Sequence, residues 1–404
     1  MRGDHASAPR PANDKPTLAS ILRDAGPDYR AAHKLPPQHL KAMRAIEICR
    51  TAALGGHLEA CDDGCGFQRA AYHSCCNRHC PQCQTLNQVR WVEAIKDDLL
   101  PVPYFHVTFT IPSELRDLAL RNQQVFYDLL FRAAADALIE VGREKLGAEL
   151  GAVAVLHTWS QTLIDHPHIH MLVPGGGLSL NGDRWVPTHG PDYLLPVAKL
   201  RSRFRRKLLD ALEEARNSEP CRLKFPGKIA NLTWPLAWAR LTQHLRKIDW
   251  VVNVQATEGD PVHVIEYLGR YVLRVAIDNS RIRSVKDGNV TFSYLDRDDH
   301  DKPKLMTLAT DEFIRRFLCH VLPPGFTKIR YFGLLAPNGR HQRLARAREL
   351  LGAVAPESAP DTPWHELICR RSGVDPRLCP NCRRGLMTPR AELEPTFNRG
   401  PPWR

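Results

Sequence analysis

His166-Pro167-His168-Ile169-His170-Met171-Leu172-Val173 decides how this chain is read. Side chains alternate faces in an extended strand, so His168 and His170 share one face while Ile169 turns into a core. Two imidazoles on one strand face make half of a metal site. Just ahead, Val153 to Leu163 reads as a partner strand, with Ile164-Asp165-His166-Pro167 as the tight connection. A turn there sets Gln161 opposite His170 and supplies a third ligand, an amide oxygen. Two imidazoles and an amide leave positions open for phosphate oxygens and water, as a catalytic metal requires.

The flanking elements build a sheet around that hairpin. Tyr104–Ile111 is β-branched and aromatic and stops at Pro112, the signature of a strand. Leu115, Leu118, Val125, Leu129, Ala133, Ala137 and Val141 then recur at helical spacing, predicting a long amphipathic helix. Helical patterns over Pro196–Arg216 and Trp234–Arg246 lead to a fourth strand, Trp250–Gln255. The order strand, helix, strand, strand, helices, strand predicts an α+β fold: an antiparallel, ferredoxin-like sheet with helices on one face.

Directly after the fourth strand, a helix from about Pro261 to Val275 carries Tyr267-Leu268-Gly269-Arg270-Tyr271. Tyr267 and Tyr271 stand one turn apart on one face, so both phenols can enter one cavity. Tyrosines four apart usually pack in cores. Here Arg270 and Arg274 ride the same helix, and Arg281 and Arg283 follow it, crowding the phenols with phosphate-binding cations. Gly269 leaves a notch where a nucleic-acid backbone can approach. A phenol beside a divalent metal suits attack on a phosphodiester.

Six of the twelve cysteines fall between Cys61 and Cys83, in a loop-rich stretch that needs a staple. Cys61-x3-Cys65 and Cys80-x2-Cys83 are two chelating knuckles with the layout of one structural zinc site. Cys75, Cys76, His79 and His73 are surplus donors, so the ligand set stays open. A second knuckle, Cys379-x2-Cys382 with Cys369 nearby, lacks an obvious fourth ligand and leaves a second zinc site undecided.

A chain of 404 residues exceeds one ordinary core. The segmentation expected is a polar tail over 1–15, a helical and zinc-binding domain over 16–95, and a catalytic domain over 96–285. A mixed region over 286–350, and a linker with the CxxC tail over 351–404, complete it. A formal charge of +12 favours an anionic partner such as nucleic acid. No apolar run is long enough to span a bilayer, and Met1–Ala6 lacks the apolar core of a signal peptide, so a cytoplasmic protein is expected.

Together these stretches resemble the HUH-superfamily rolling-circle transposases of bacterial insertion sequences, of the two-tyrosine group with an N-terminal zinc-binding domain. The likeness is carried by Cys61–Cys83, Tyr104–Pro112, His157–Gln161 through His170–Gly177, Tyr267–Ala276 and Leu322–Leu335, most of residues 45–350. It departs at the tail, where Arg383 follows Cys382 in a position such tails often give to Gly. The resemblance implies that His168, His170 and Gln161 hold Mg²⁺ or Mn²⁺. It further implies that Tyr267 and Tyr271 cleave single-stranded DNA through 5′-phosphotyrosine links, with zinc purely structural and Arg340–Arg348 adding phosphate contacts. Rival readings are a plasmid replication initiator or relaxase with the same chemistry, and a non-catalytic zinc-dependent DNA-binding protein.

Overall fold

The computed structural model describes residues 15–257, 276–296, 299–354 and 362–396. Helix α1 (Leu18–Ala32) opens on a capping box: the Thr17 hydroxyl accepts from the Ser20 N–H at 3.1 Å, and Ser20 Oγ accepts from the Thr17 N–H at 2.9 Å. Helix α2 (Pro37–Glu47) starts on proline, whose missing N–H costs nothing in a first turn. A hairpin, β1 (Gly56–Cys61) and β2 (Gln68–Tyr72), occupies part of the stretch expected to be loop-rich, and α3 (Gln84–Lys96) follows it.

The central sheet begins with β3 (Tyr104–Thr110). After α4 (Arg116–Arg121), α5 (Gln123–Leu146) runs the length of the sheet and ends on Gly147 in the left-handed conformation. Then come β4 (Ala148–Glu149), β5 (Gly151–Trp159), β6 (Asp165–Pro174), β7 (Gly176–Ser179) and β8 (Trp185–Pro187). The glycines at 175–177 answer to crowding: a Cβ on Gly177 would lie 2.3 Å from the Glu149 carbonyl oxygen. Helices α6 (Val197–Asn217) and α7 (Pro235–Lys247) lead to β9 (Val251–Ala256).

A three-stranded meander follows, β10 (Ile282–Lys286), β11 (Asn289–Asp296) and β12 (Lys302–Ala309), and then a helix, Thr310–Cys319, that packs Phe313, Ile314 and Phe317 with Leu18, Ile21 and Met43. Strand β13 (Ile329–Gly333) then joins the central sheet, giving the order β13-β5-β6-β3-β9. Strands β5, β6, β3 and β9 have the ferredoxin-like order expected, and β13 adds a fifth at the edge beside β5. Helices Arg340–Leu350 and Trp364–Ser372 precede β14 (Met387–Leu393), which pairs antiparallel with β1 and brings the tail back to the N-terminal hairpin. The region beyond residue 285, expected to be mixed, combines helices with strands β11, β12, β13 and β14 among its described residues.

The two faces of the sheet differ. Phe105, Val107, Phe109, Ile169, Met171 and Val173 are fully buried against α5 and α6. Burying six such side chains is worth on the order of 10 kcal/mol before entropy is counted. On the other face, Val153, Val155 and Leu172 meet Ile95, Leu334 and Leu344 at one end. Imidazoles take over at the other end of that face, and an open cleft lies over them.

Candidate active site and metal centres

Three imidazoles converge on that face. His157 on β5 and His168 and His170 on β6 each bring one ring nitrogen to within 4.8 Å of the others. The ladder pairs His157 with His168 and Val155 with His170. Gln161 therefore does not stand opposite His170, as the sequence had suggested. The turn is Ser160–Ile164, closed by the Ser160 N–H donating to the Ile164 carbonyl at 2.9 Å. Residues Asp165–Pro167 belong to β6, where the ladder spends three residues against two on β5. That bulge accommodates Pro167, which cannot donate to a ladder. Gln161 sits in the turn and lines the same cleft, its carbonyl accepting from Arg281.

Hydrogen bonds orient the rings. His168 Nδ1 lies 2.6 Å from the His166 carbonyl oxygen, so Nδ1 carries the proton and Nε2 keeps its lone pair. His170 Nδ1 lies 2.7 Å from His106 Nε2 on β3 and 3.3 Å from Thr108 Oγ1. This leaves His170 Nε2 as its ligand atom in the same way. Trp159 stacks on His157 with ring centroids 4.8 Å apart. His157, His106 and Thr108 escaped the sequence reading because their role depends on the register; His157 lay inside the quoted stretch but was not singled out.

The cleft over the imidazoles measures roughly 760 Å³, and Arg116, His166, Arg281, Tyr294 and Asp296 are among the residues that line it. Arg116 Nη2 donates to His166 Nδ1 at 3.1 Å, and Arg281 Nε donates to the Ser293 carbonyl at 2.8 Å. Burial pushes the Asp165 carboxyl up to about 7, against the opposing pull of Arg116. Burial likewise pushes the Lys328 ammonium down to about 7, where it lies over the Trp159 ring.

Tyr267, Tyr271, Arg270 and Arg274 lie outside the described residues. Ala276, five places after Tyr271 in sequence, lines the cleft. The basic run Arg340–Arg348 is largely spent on the fold. Arg340 pairs with Asp98 at 3.2 Å, Arg343 donates to the Leu334 and Ala336 carbonyls, and Arg348 donates to those of Asp97 and Leu99.

The cysteines form two groups of four, neither of them the one expected. Cys80 and Cys83 gather with Cys49 and Cys75, whereas Cys61 and Cys65 gather with Cys379 and Cys382. The single site drawn from Cys61, Cys65, Cys80 and Cys83 is corrected accordingly. The reason is the β1–β2 hairpin, which carries the first knuckle toward β14 and away from the second. In the first group, Cys49 Sγ lies 3.3 Å and Cys75 Sγ 3.6 Å from Cys83 Sγ. Cys76 points elsewhere and is exposed, Cys369 joins neither group, and burial drives His79 well below its usual pKa.

Comparison with known proteins agrees with this architecture. The family described as "Transposase zinc-binding domain" matches residues 21–111, and the family described as "Putative transposase" matches residues 151–343. The "Putative transposase y4qJ" of Sinorhizobium fredii (strain NBRC 101917 / NGR234) is 44% identical over 382 residues, 93% of this chain and 95% of the relative. The "Transposase for insertion sequence element IS801" of Pseudomonas savastanoi pv. phaseolicola is 27% identical over 351 residues, 84% of this chain and 82% of the relative. With so close a relative matched along nearly its whole length, the chain belongs to the insertion-sequence transposases that join an IS91-type zinc-binding domain to a two-tyrosine transposase domain.

Proposed function

We propose that this transposase moves its element by rolling-circle chemistry, cutting and rejoining single-stranded DNA through 5′-phosphotyrosine links on Tyr267 and Tyr271. The observation that carries this reading is the convergence of His157, His168 and His170 in an open cleft lined by Ala276, next in sequence to the tyrosine segment. Three converging imidazoles, with the far nitrogens of His168 and His170 held by hydrogen bonds, suit a divalent cation. We assign His157 the third position, with Gln161 as a neighbour in the cleft. When bound, such an ion supplies Lewis-acid polarisation of the scissile phosphate. Magnesium prefers oxygen donors, so an imidazole set favours Mn²⁺ over Mg²⁺.

In the step proposed, a tyrosine oxygen forms a bond to phosphorus while the bond to the 3′ oxygen breaks. The phenol proton passes to solvent or to the departing oxygen, leaving a free 3′-OH. The covalent link conserves the phosphodiester energy, so the reverse attack by a 3′-OH rejoins strands without a nucleotide cofactor. Arg270 and Arg274 would hold phosphate oxygens beside the phenols. Zinc bound by Cys49, Cys75, Cys80 and Cys83 is structural in this scheme, and the protein acts in the cytoplasm on nucleoid DNA.

The test mixes the protein with single strands from its own element's ends and Mn²⁺. A protein–DNA adduct that survives denaturation is expected. It should vanish in the Tyr267→Phe/Tyr271→Phe double variant and in His168→Ala. No adduct with any end sequence, from well-folded protein, overturns the reading.

A further inference from the structure

We propose that Cys61, Cys65, Cys379 and Cys382 bind a second zinc ion, which clasps the C-terminal tail onto the N-terminal zinc-binding domain. Each offers one sulfur, and the four sulfurs lie within 4.8 Å of one another. A tetrahedron of thiolates at a Zn–S distance of about 2.3 Å has edges of about 3.8 Å. Cys61 Sγ lies 3.6 Å from Cys382 Sγ, and Cys65 Sγ lies 3.7 Å from Cys379 Sγ. Disulfide-bonded sulfurs would sit at about 2.05 Å, so these are four separate thiols in a chelating arrangement. The set closes at four donors with no open position, the pattern of a structural site.

The backbone is shaped around the sulfurs. Arg383 adopts φ +56°, a left-handed turn that lets the chain fold back over Cys379 and Cys382. The Arg383 N–H donates to the Cys379 carbonyl at 2.9 Å, and the Cys379 N–H to the Gly385 carbonyl at 2.8 Å. Arginine in place of glycine therefore costs some backbone strain without undoing the knuckle. Cys382 Sγ accepts from the Gly385 N–H at 3.5 Å, and Cys65 Sγ from Asn381 Nδ2 at 3.7 Å, as thiolates in such sites do. A Cβ on Gly385 would lie 2.6 Å from Cys61 Sγ, so the tail wraps the site closely enough to exclude any side chain there. On the other side, Gly64 and Gly66 take positive φ on either flank of Cys65.

Little else holds this corner together. The buried side chains beneath the sheet β14-β1-β2 are Cys61, Cys379 and Met387, with Cys65, Phe67 and Cys382 partly buried around them. So small an apolar cluster cannot fix a three-stranded sheet, and a metal is the usual staple at this scale. Cys61 and Cys65 lie inside the segment matched by the zinc-binding family, whereas Cys379 and Cys382 lie beyond both matched segments. The first four-cysteine group draws all its ligands from residues 49–83 and needs none of these. The proposal is also independent of the transposition chemistry.

Metal content of the purified full-length chain tests it. Two zinc ions per chain are expected for wild type, and one for soluble Cys379→Ser/Cys382→Ser. One zinc in wild type, iron in place of the second zinc, or two zinc ions in the double variant would each overturn the proposal. Because the serine variant can fail to fold, Cys382→His supplies a second arm, since imidazole still completes a four-donor set. After cobalt exchange, this variant should keep two ions and lose about one-eighth of the thiolate-to-cobalt charge-transfer intensity. A spectrum identical to wild type would show that Cys382 is not a ligand.

Discussion

His106 Nε2 lies 2.7 Å from His170 Nδ1 across the β3–β6 ladder, with the two rings nearly parallel at 4.9 Å between centroids. With His170 bound to metal through Nε2, its Nδ1–H donates to His106, which fixes the tautomer and steadies the ring. Replacing His106 with Ala should weaken Mn²⁺ binding by about 10–100-fold without removing a ligand. Asn, which keeps an acceptor at that depth, should recover part of the loss. Manganese titration followed by electron paramagnetic resonance reads both, and unchanged affinity in the alanine variant would mean that His106 only packs.

His157 and Gln161 make opposite predictions, because the register pairs one with His168 and leaves the other in the turn. His157→Ala should abolish Mn²⁺ binding and the covalent adduct together. Gln161→Ala should retain binding within about threefold, since a neighbour in the cleft contributes far less than a ligand. If Gln161→Ala loses the ion and His157→Ala keeps it, the assignment of the third position is reversed.

The ferredoxin-like order was legible because each strand carries its own signal, including the alternation through His168, Ile169 and His170. The hairpin register was not. Pro167 resembles a turn residue, yet a bulge absorbs it; the true turn lacks glycine and puts Leu163 at φ +60°. Ser160 Oγ compensates by accepting from the Ile164 N–H at 3.2 Å, a contact invisible in composition. The cysteine partners failed for a different reason. Spacing identifies a chelating pair but not the pair it meets, and Cys379 reaches Cys65 only because β14 pairs with β1.

The first zinc group ties the end of α2 to the loop before α3, since Cys49 follows the helix and Cys75, Cys80 and Cys83 surround it. Cys75→Ser should cost one zinc per chain and expose this junction. Hydrogen exchange over residues 48–83 should quicken by at least tenfold, while the central sheet keeps its protection. Full zinc retention in a soluble Cys75→Ser protein would remove Cys75 from the ligand set.

His320 links acid stability to the histidine-bearing hairpin. Its Nε2–H donates to the Leu163 carbonyl at 3.1 Å, and its Nδ1 accepts from the Thr158 hydroxyl at 3.2 Å, so the neutral ring pins the β5–β6 turn. Burial pushes its pKa down to about 4, with Arg315 adding to the effect, against about 6.5 in an unfolded chain. The unfolded state thus takes up a proton that the folded state refuses between those two values. Stability is complete above pH 6.5, falls as the pH drops toward 4, and is lower by about 3 kcal/mol once both states are protonated. His320→Gln keeps a donor for Leu163 but cannot titrate, so its stability should fall less between pH 7.5 and pH 5. Urea unfolding at the two pH values measures the difference, expected at about 2 kcal/mol in favour of the variant's flatter profile. Parallel losses in both proteins would place the acid sensitivity elsewhere in the fold.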